Sequence, residues 1–210
     1  MTEADLRDRL AEHGRLLFGR GYSVGSAGNI SVRLPDGYLM TPTNSCLGRL
    51  DPARISKLDR DWRHVAGDKP SKEVFLHRAV LETRPEAGAV VHLHSTHATA
   101  IACLATPGEA APIPPLTPYF VMRVGRVLPV VRYYRPGDAA MEPAIAAAAK
   151  DARAMLLANH GPVVSGKTLD DAVYAAEELE EAAKLALMLR GQDARVLTPA
   201  EVEDLLATFG

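Results

Sequence analysis

Three histidines fall within six positions in AVVHLHSTH (residues 89–97), and another closes the apolar run MLLANHGPVV (155–164), in a chain with only seven histidines. If 89–95 is a strand, His92 and His94 share one face, because alternate residues point the same way. His160 stands at the end of a second apolar run, immediately before Gly161-Pro162, where a strand leaves its sheet. Three neutral imidazoles suit a divalent transition ion. Zinc is the first candidate, with manganese or cobalt behind it, and one coordination position stays open for substrate. A hydrogen-bonded histidine pair is the plainer reading of an HxH taken alone. His97 lies an odd number of places along, at the start of the next helix, and is expected beside the ligands rather than among them.

Two further stretches carry polar groups of the right kind. PSKE (70–73) puts Glu73 in the first turn of a predicted helix, where position alone favours an interaction with the helix dipole. SAGNIS (26–31) puts Gly28 and Asn29 before a strand. There the backbone can approach an anion closely, although a simple turn explains the same residues. The acidic run EELEE (177–181) reads as a solvated helix face.

The elements that must position these groups are legible in outline. Thr2 and Asp5 form a capping box for a helix over 2–20. NISVRL (29–34) alternates as a strand, PDG turns it, and YLMTP (38–42) returns it. Ser71 caps a helix to Thr83, 87–95 is a buried strand, and 96–104 is a short helix. Residues 107–118 hold five prolines and are expected to be irregular. GRVLPVV (125–131), AMLLAN (154–159) and GPVVSG (161–166) are strands, with an Ala-rich helix near 141–151. Thr168 and Asp171 cap the longest helix, to Arg190, and Thr198–Glu201 opens a last short one. No repeat or linker divides residues 1–210, so one domain is expected.

Composition removes several classes. The formal net charge is −2, against bulk nucleic-acid binding. No apolar run is long enough for a membrane helix. Cys46 and Cys103 are the only cysteines and lie far apart. With a charged, helix-like start, MTEADLRDRL, this points to a reducing cytoplasm.

The motifs GSAGNISVR, TPT, PSKEVFLH, VVHLHSTH and ANHGPVV occur in one order. Together they resemble the class II aldolase/adducin family over about residues 5–190. The resemblance implies an α/β fold, a three-layer α/β/α sandwich around a mainly antiparallel sheet. It also implies a homotetramer with active sites at subunit interfaces. It makes His92, His94 and His160 the metal ligands and Glu73 the catalytic acid/base. It sets Tyr119, in LTPYF, at a neighbouring subunit's metal site, unless that residue is only a loop anchor. Gly28, Asn29, Thr43, Asn44, Ser71 and Lys72 match the phosphate-binding positions. Asn44 replaces a usual Gly and Lys72 a usual Ser. Asn tolerates the same left-handed turn. Lys72 adds a charge for an anionic substrate, or simply faces solvent.

TPTNSCLGRLDPARISKLD and LTPYFVMRVGRVLPVVRYYRPGD resemble the decarboxylase branch, which acts on 4-phosphorylated 3-oxo-tetronic acids. The implied chemistry is metal-assisted loss of carbon dioxide, leaving an enediolate that is protonated to dihydroxyacetone phosphate. Such a substrate is doubly anionic, and Arg123 is a second candidate for its carboxylate after Lys72. The alternatives are a fuculose-phosphate-type aldolase and, from another class, a non-catalytic adducin-head-like binding module. The latter would be expected to have lost the metal ligands.

Overall fold

A computed structural model describes residues 2–111 and 113–209. Met1, Pro112 and Gly210 lie outside them, so the ends of the expected domain and one residue of the proline-rich stretch are not described.

Among the described residues, eight strands form one sheet. They are β1 (Asn29–Leu34), β2 (Gly37–Met40), β3 (Ser56–Asp59), β4 (His64–Ala66), β5 (Ala89–His92), β6 (Val130–Val131), β7 (Ala154–Leu157) and β8 (Gly161–Gly166). Their order across the sheet is β4-β3-β2-β1-β5-β8-β7-β6. Every pairing is antiparallel except β6 with β7. The helices are α1 (Glu3–Gly19), α2 (Val74–Thr83), α3 (Thr96–Leu104), α4 (Pro118–Arg123), α5 (Glu142–Ala149), α6 (Leu169–Met188) and α7 (Pro199–Phe209).

The period of two in the central strands divides the interior into two cores. Ile30, Val32 and Leu34 of β1, with Val91 and Val164, pack under α1, α3, α4, α6 and α7. Val90, Met155, Leu157 and Val163 face the other way, toward α2 and α5. Helices therefore cover both faces of a mainly antiparallel sheet, as expected. Both expected capping boxes form, Thr2 with Asp5 and Thr168 with Asp171.

Several local expectations need correction. The strand expected over 125–131 keeps only its last two residues, β6. It begins after Pro129, whose ring leaves no N–H for a ladder. Helix α4 starts inside the tail of the proline-rich stretch, with Thr117 as cap and Pro118 in the first turn. α7 runs for eleven residues rather than as a short terminal turn. α2 begins at Val74, with Glu73 at the cap position and Ser71 two residues outside. The run 177–181 is not wholly solvated. Glu180 is buried and accepts bonds from the His97 and Ala98 N–H groups and from the His97 ring, pinning the start of α3.

Candidate metal centre and active site

The site sits at one end of the central strands. β5 ends on His92, which lies in register with Asn29 of β1 and Val163 of β8. His94 follows beyond the strand, and His160 stands in the turn between β7 and β8. That turn is shaped by two unusual backbone positions. Asn159 is left-handed at φ 57° and Gly161 has φ 156°. A Cβ on Gly161 would stand 2.3 Å from the Leu93 carbonyl oxygen, so the close approach of β8 to His94 needs a glycine.

One potential ligand atom from each of His92, His94 and His160 lies within 4.8 Å of the others. The His94 Nε2 is 3.2 Å from His92 Nε2 and 3.1 Å from His160 Nε2. Tetrahedral ligands about 2.05 Å from a zinc ion lie about 3.3 Å apart, so the spacing suits one. The tautomers agree. His92 Nδ1 donates to the Pro162 carbonyl at 2.8 Å, which leaves the Nε2 lone pair facing inward. A single hydrogen on His94 Nε2 serves only one of its two neighbours. A cation at the centre satisfies all three rings at once. His160 Nδ1 is buried without a partner.

Burial lowers the pKa of each ring, the neighbouring imidazoles add to that, and Glu73 opposes it without reversing it. His92 and His94 move down, and His160 falls to about 4. The rings are therefore neutral, as metal ligation requires.

Glu73 closes the fourth side. Its Oε2 lies 3.6 Å from His92 Nε2 and its Oε1 3.6 Å from His160 Nε2. Asn29 Nδ2 donates to Oε2 at 2.8 Å. Burial pushes the carboxyl up, but His92, the Asn29 bond and His160 outweigh it, and the group titrates below its ordinary value. Behind Asn29 lie His77 of α2 and Ser31 of β1. His77 Nε2 bonds Asn29 Oδ1, and Ser31 Oγ is 2.7 Å from His77 Nδ1. Neither residue stood out in the sequence, because His77 sits on the apolar face of VFLH and Ser31 inside an alternating strand.

Gly28, Asn29, Thr43, Asn44, Ser71, Lys72, Glu73, His94 and His160 all line one cleft. Pro136 and Gly137, from the loop after β6, complete it. Gly28 has φ 80° and Asn44 φ 56°, both left-handed. A Cβ on Gly28 would press the His92 carbonyl oxygen at 3.0 Å. Lys72 is exposed at the rim while Glu73, the next residue, is buried.

Two expected residues do not reach this cleft within one chain. Tyr119 is 57% exposed on α4. Arg123 stacks over the Tyr174 ring, 5.4 Å from its centroid. It also lines a separate cavity with Arg84, Arg153 and Lys167 at the opposite ends of β5 and β8.

Comparison with known proteins gives this geometry a context. Residues 8–187 match the family described as Class II Aldolase and Adducin N-terminal domain. The chain is 50% identical to the 3-oxo-tetronate 4-phosphate decarboxylase of Escherichia coli strain K12, over 97% of this chain and 96% of that protein. Identity to the L-fuculose phosphate aldolase of Haemophilus influenzae is 32%, over 100% and 95%. The crystal structure of YgbL from Klebsiella pneumoniae, whose description leaves its activity open between aldolase, epimerase and decarboxylase, superposes with a TM-score of 0.93. It shares 49% identity, covering 98% of this chain and 99% of that one. By motif order, architecture and full-length similarity, this chain belongs to the class II aldolase and adducin family.

Proposed function

We propose that the protein is a metal-dependent carbon–carbon lyase that decarboxylates a 3-oxo-tetronate 4-phosphate to dihydroxyacetone phosphate. The observation that carries this reading is the contrast in similarity. Identity is 50% to a decarboxylase of that name and 32% to a fuculose-phosphate aldolase, both over nearly the whole chain. His92, His94 and His160 would hold the ion, zinc by preference. When bound, it supplies Lewis-acid polarisation of the keto oxygen.

The chain's own residues do the rest. The left-handed backbone at Gly28 and Asn44, with Thr43, Ser71 and the second Nδ2 hydrogen of Asn29, cradles the phosphate. Lys72 at the rim orients the carboxylate without gripping it, because a tightly paired ground state would slow its departure. The bond between C1 and C2 breaks, carbon dioxide leaves, and the electron pair is shared between C2 and the keto group. Glu73 takes up a proton as substrate displaces water, since desolvation raises a carboxyl pKa, and delivers it to C2. Tyr119 and Arg123 act from a neighbouring subunit of a homotetramer, reaching a site that each chain leaves open. Among the described residues no helix is long and apolar enough to cross a membrane. We place this single-domain enzyme in the cytoplasm, without nucleic-acid partners.

The test is an assay of zinc-loaded protein on 3-oxo-tetronate 4-phosphates and on fuculose 1-phosphate, following carbon dioxide and dihydroxyacetone phosphate. Release of carbon dioxide at least a hundredfold faster than aldol cleavage supports the reading. Faster aldol cleavage replaces it with the aldolase.

A further inference from the structure

The four polar residues behind the metal site form a ladder between α2 and β1. Glu73 and His77 are four residues apart, about 6 Å along a helix. Asn29 and Ser31 are two residues apart, about 6.7 Å along a strand, and share one face. The two pitches nearly match, so His77 reaches both Asn29 and Ser31 while Glu73 meets Asn29 alone. Asn29, Ser31, Glu73 and His77 are all buried, and His77 and Ser31 are fully so.

Hydrogen-bond chemistry fixes the direction of this ladder. In one direction, the Ser31 hydroxyl donates to His77 Nδ1, His77 Nε2–H donates to Asn29 Oδ1, and Asn29 Nδ2–H donates to Glu73 Oε2. Every group then has a partner of the right kind. In the reverse direction, His77 Nδ1–H would donate to Ser31, the Asn29 amide would be turned over, and Glu73 would have to be protonated to donate to it. The buried Ser31 hydroxyl hydrogen would also lose its acceptor. Burial, and then His92, hold the His77 pKa down at about 3, so the ring is neutral and presents a single N–H.

We propose that His77 is a positioning residue for Glu73, its Nε2–H locking the Asn29 amide so that Nδ2–H is held on Glu73 Oε2. That bond restrains rotation of the carboxylate and leaves Oε1 as the oxygen to carry the proton. The ladder does not conduct that proton, because an amide cannot relay one without leaving its stable tautomer. It sets geometry only. The inference rests on the reading of Glu73 as the acid/base group.

Two measurements test it. In nitrogen-15-labelled native protein, long-range correlation from the imidazole ring protons reports the His77 tautomer directly. The Nε2–H form is expected, with and without zinc, and the Nδ1–H form overturns the proposal. In zinc-loaded protein, His77→Phe keeps the ring shape and removes the donor. Its kcat should fall about tenfold to a hundredfold, with KM within about twofold and zinc still stoichiometric. His77→Gln retains a donor near the Nε2 position and should recover kcat to within about threefold. Equal losses in the two variants would make His77 a packing residue, and no loss in either would remove its role. If His77→Phe does not fold, a folded His77→Gln with kcat down more than tenfold still sinks the proposal. Glu73→Gln separates the two readings. Normal turnover there ends the acid/base assignment, whereas the His77 tautomer is read without any assay of activity.

Discussion

Gly161 offers a direct measure of how tightly the fold holds the three clustered histidines together. A Cβ at this position would lie 2.3 Å from the Leu93 carbonyl oxygen and 3.4 Å from the His94 Cα, both backbone atoms that cannot swing aside. Ordinary contact would require β8 to retreat from β5 by about 1 Å. The overlap costs about 1–3 kcal/mol by analogy with overpacked cores, and the φ of 156°, a region used almost only by glycine, adds about 1 kcal/mol of backbone strain. Gly161→Ala should therefore destabilise by about 3 kcal/mol. In a chain of this size that is a fall in Tm of about 6–12 °C. Gly108→Ala is the control, since Gly108 also has positive φ, at 88°, but faces open space. It should cost only the strain, about 1 kcal/mol. Urea unfolding of both variants isolates the clash. Because His160 precedes the shifted residue and His94 lies against it, zinc affinity of Gly161→Ala should also drop about tenfold or more. If the two variants are equally stable and both bind zinc as the parent does, the rigid seam between β5 and β8 is refuted.

Other outcomes follow from the same geometry. Purified protein should carry close to one divalent ion per chain, and His94→Ala should lose most of it by elemental analysis. Full occupancy after single His→Ala changes at His92, His94 and His160 would remove the triad as the site. Glu73→Gln keeps shape but not proton transfer, so zinc content should persist while turnover falls about a hundredfold or more. Near-parent turnover would take Glu73 out of the reaction. His77 binds fewer protons folded, with a pKa of about 3, than unfolded, near 6.5. Its contribution is present above 6.5 and is lost as pH falls toward 3, amounting to about 2–3 kcal/mol between pH 6 and pH 4. Urea unfolding of the metal-free protein should show this acid dependence reduced in His77→Gln, and an unchanged dependence would contradict the neutral ring.

The parts that were readable from sequence depend on local patterns. His92 and His94 follow the two-residue period, and His160 marks the end of an apolar run, so the triad was visible before any fold. The capping boxes of α1 and α6 are contained in four residues each. What was missed depends on distant partners. β3 and β4 have little apolar alternation. Lys57 bridges Glu3 and Asp36, and all three residues of β4 are exposed. α4 carried a Thr-Pro start signal that the surrounding prolines masked. Glu180 looked like a solvated acid until the N–H groups of α3 arrived to meet it. His77 lay hidden for the same reason, since a histidine on an apolar helix face acquires meaning only when Asn29 stands opposite.

Lys72 and Asn44 are exposed at the rim of the cleft, while Glu73 and His77, on the adjoining helix, are buried in its wall. The single step from Lys72 to Glu73 thus separates two kinds of position with different tolerance of substitution. Exchanges at the rim should disturb folding by about 0.5 kcal/mol or less, as surface substitutions usually do. Exchanges in the wall threaten folding and chemistry together. A wall of this kind leaves the chain's tolerance of substitution concentrated at its solvent edge, one residue away from positions that admit almost none.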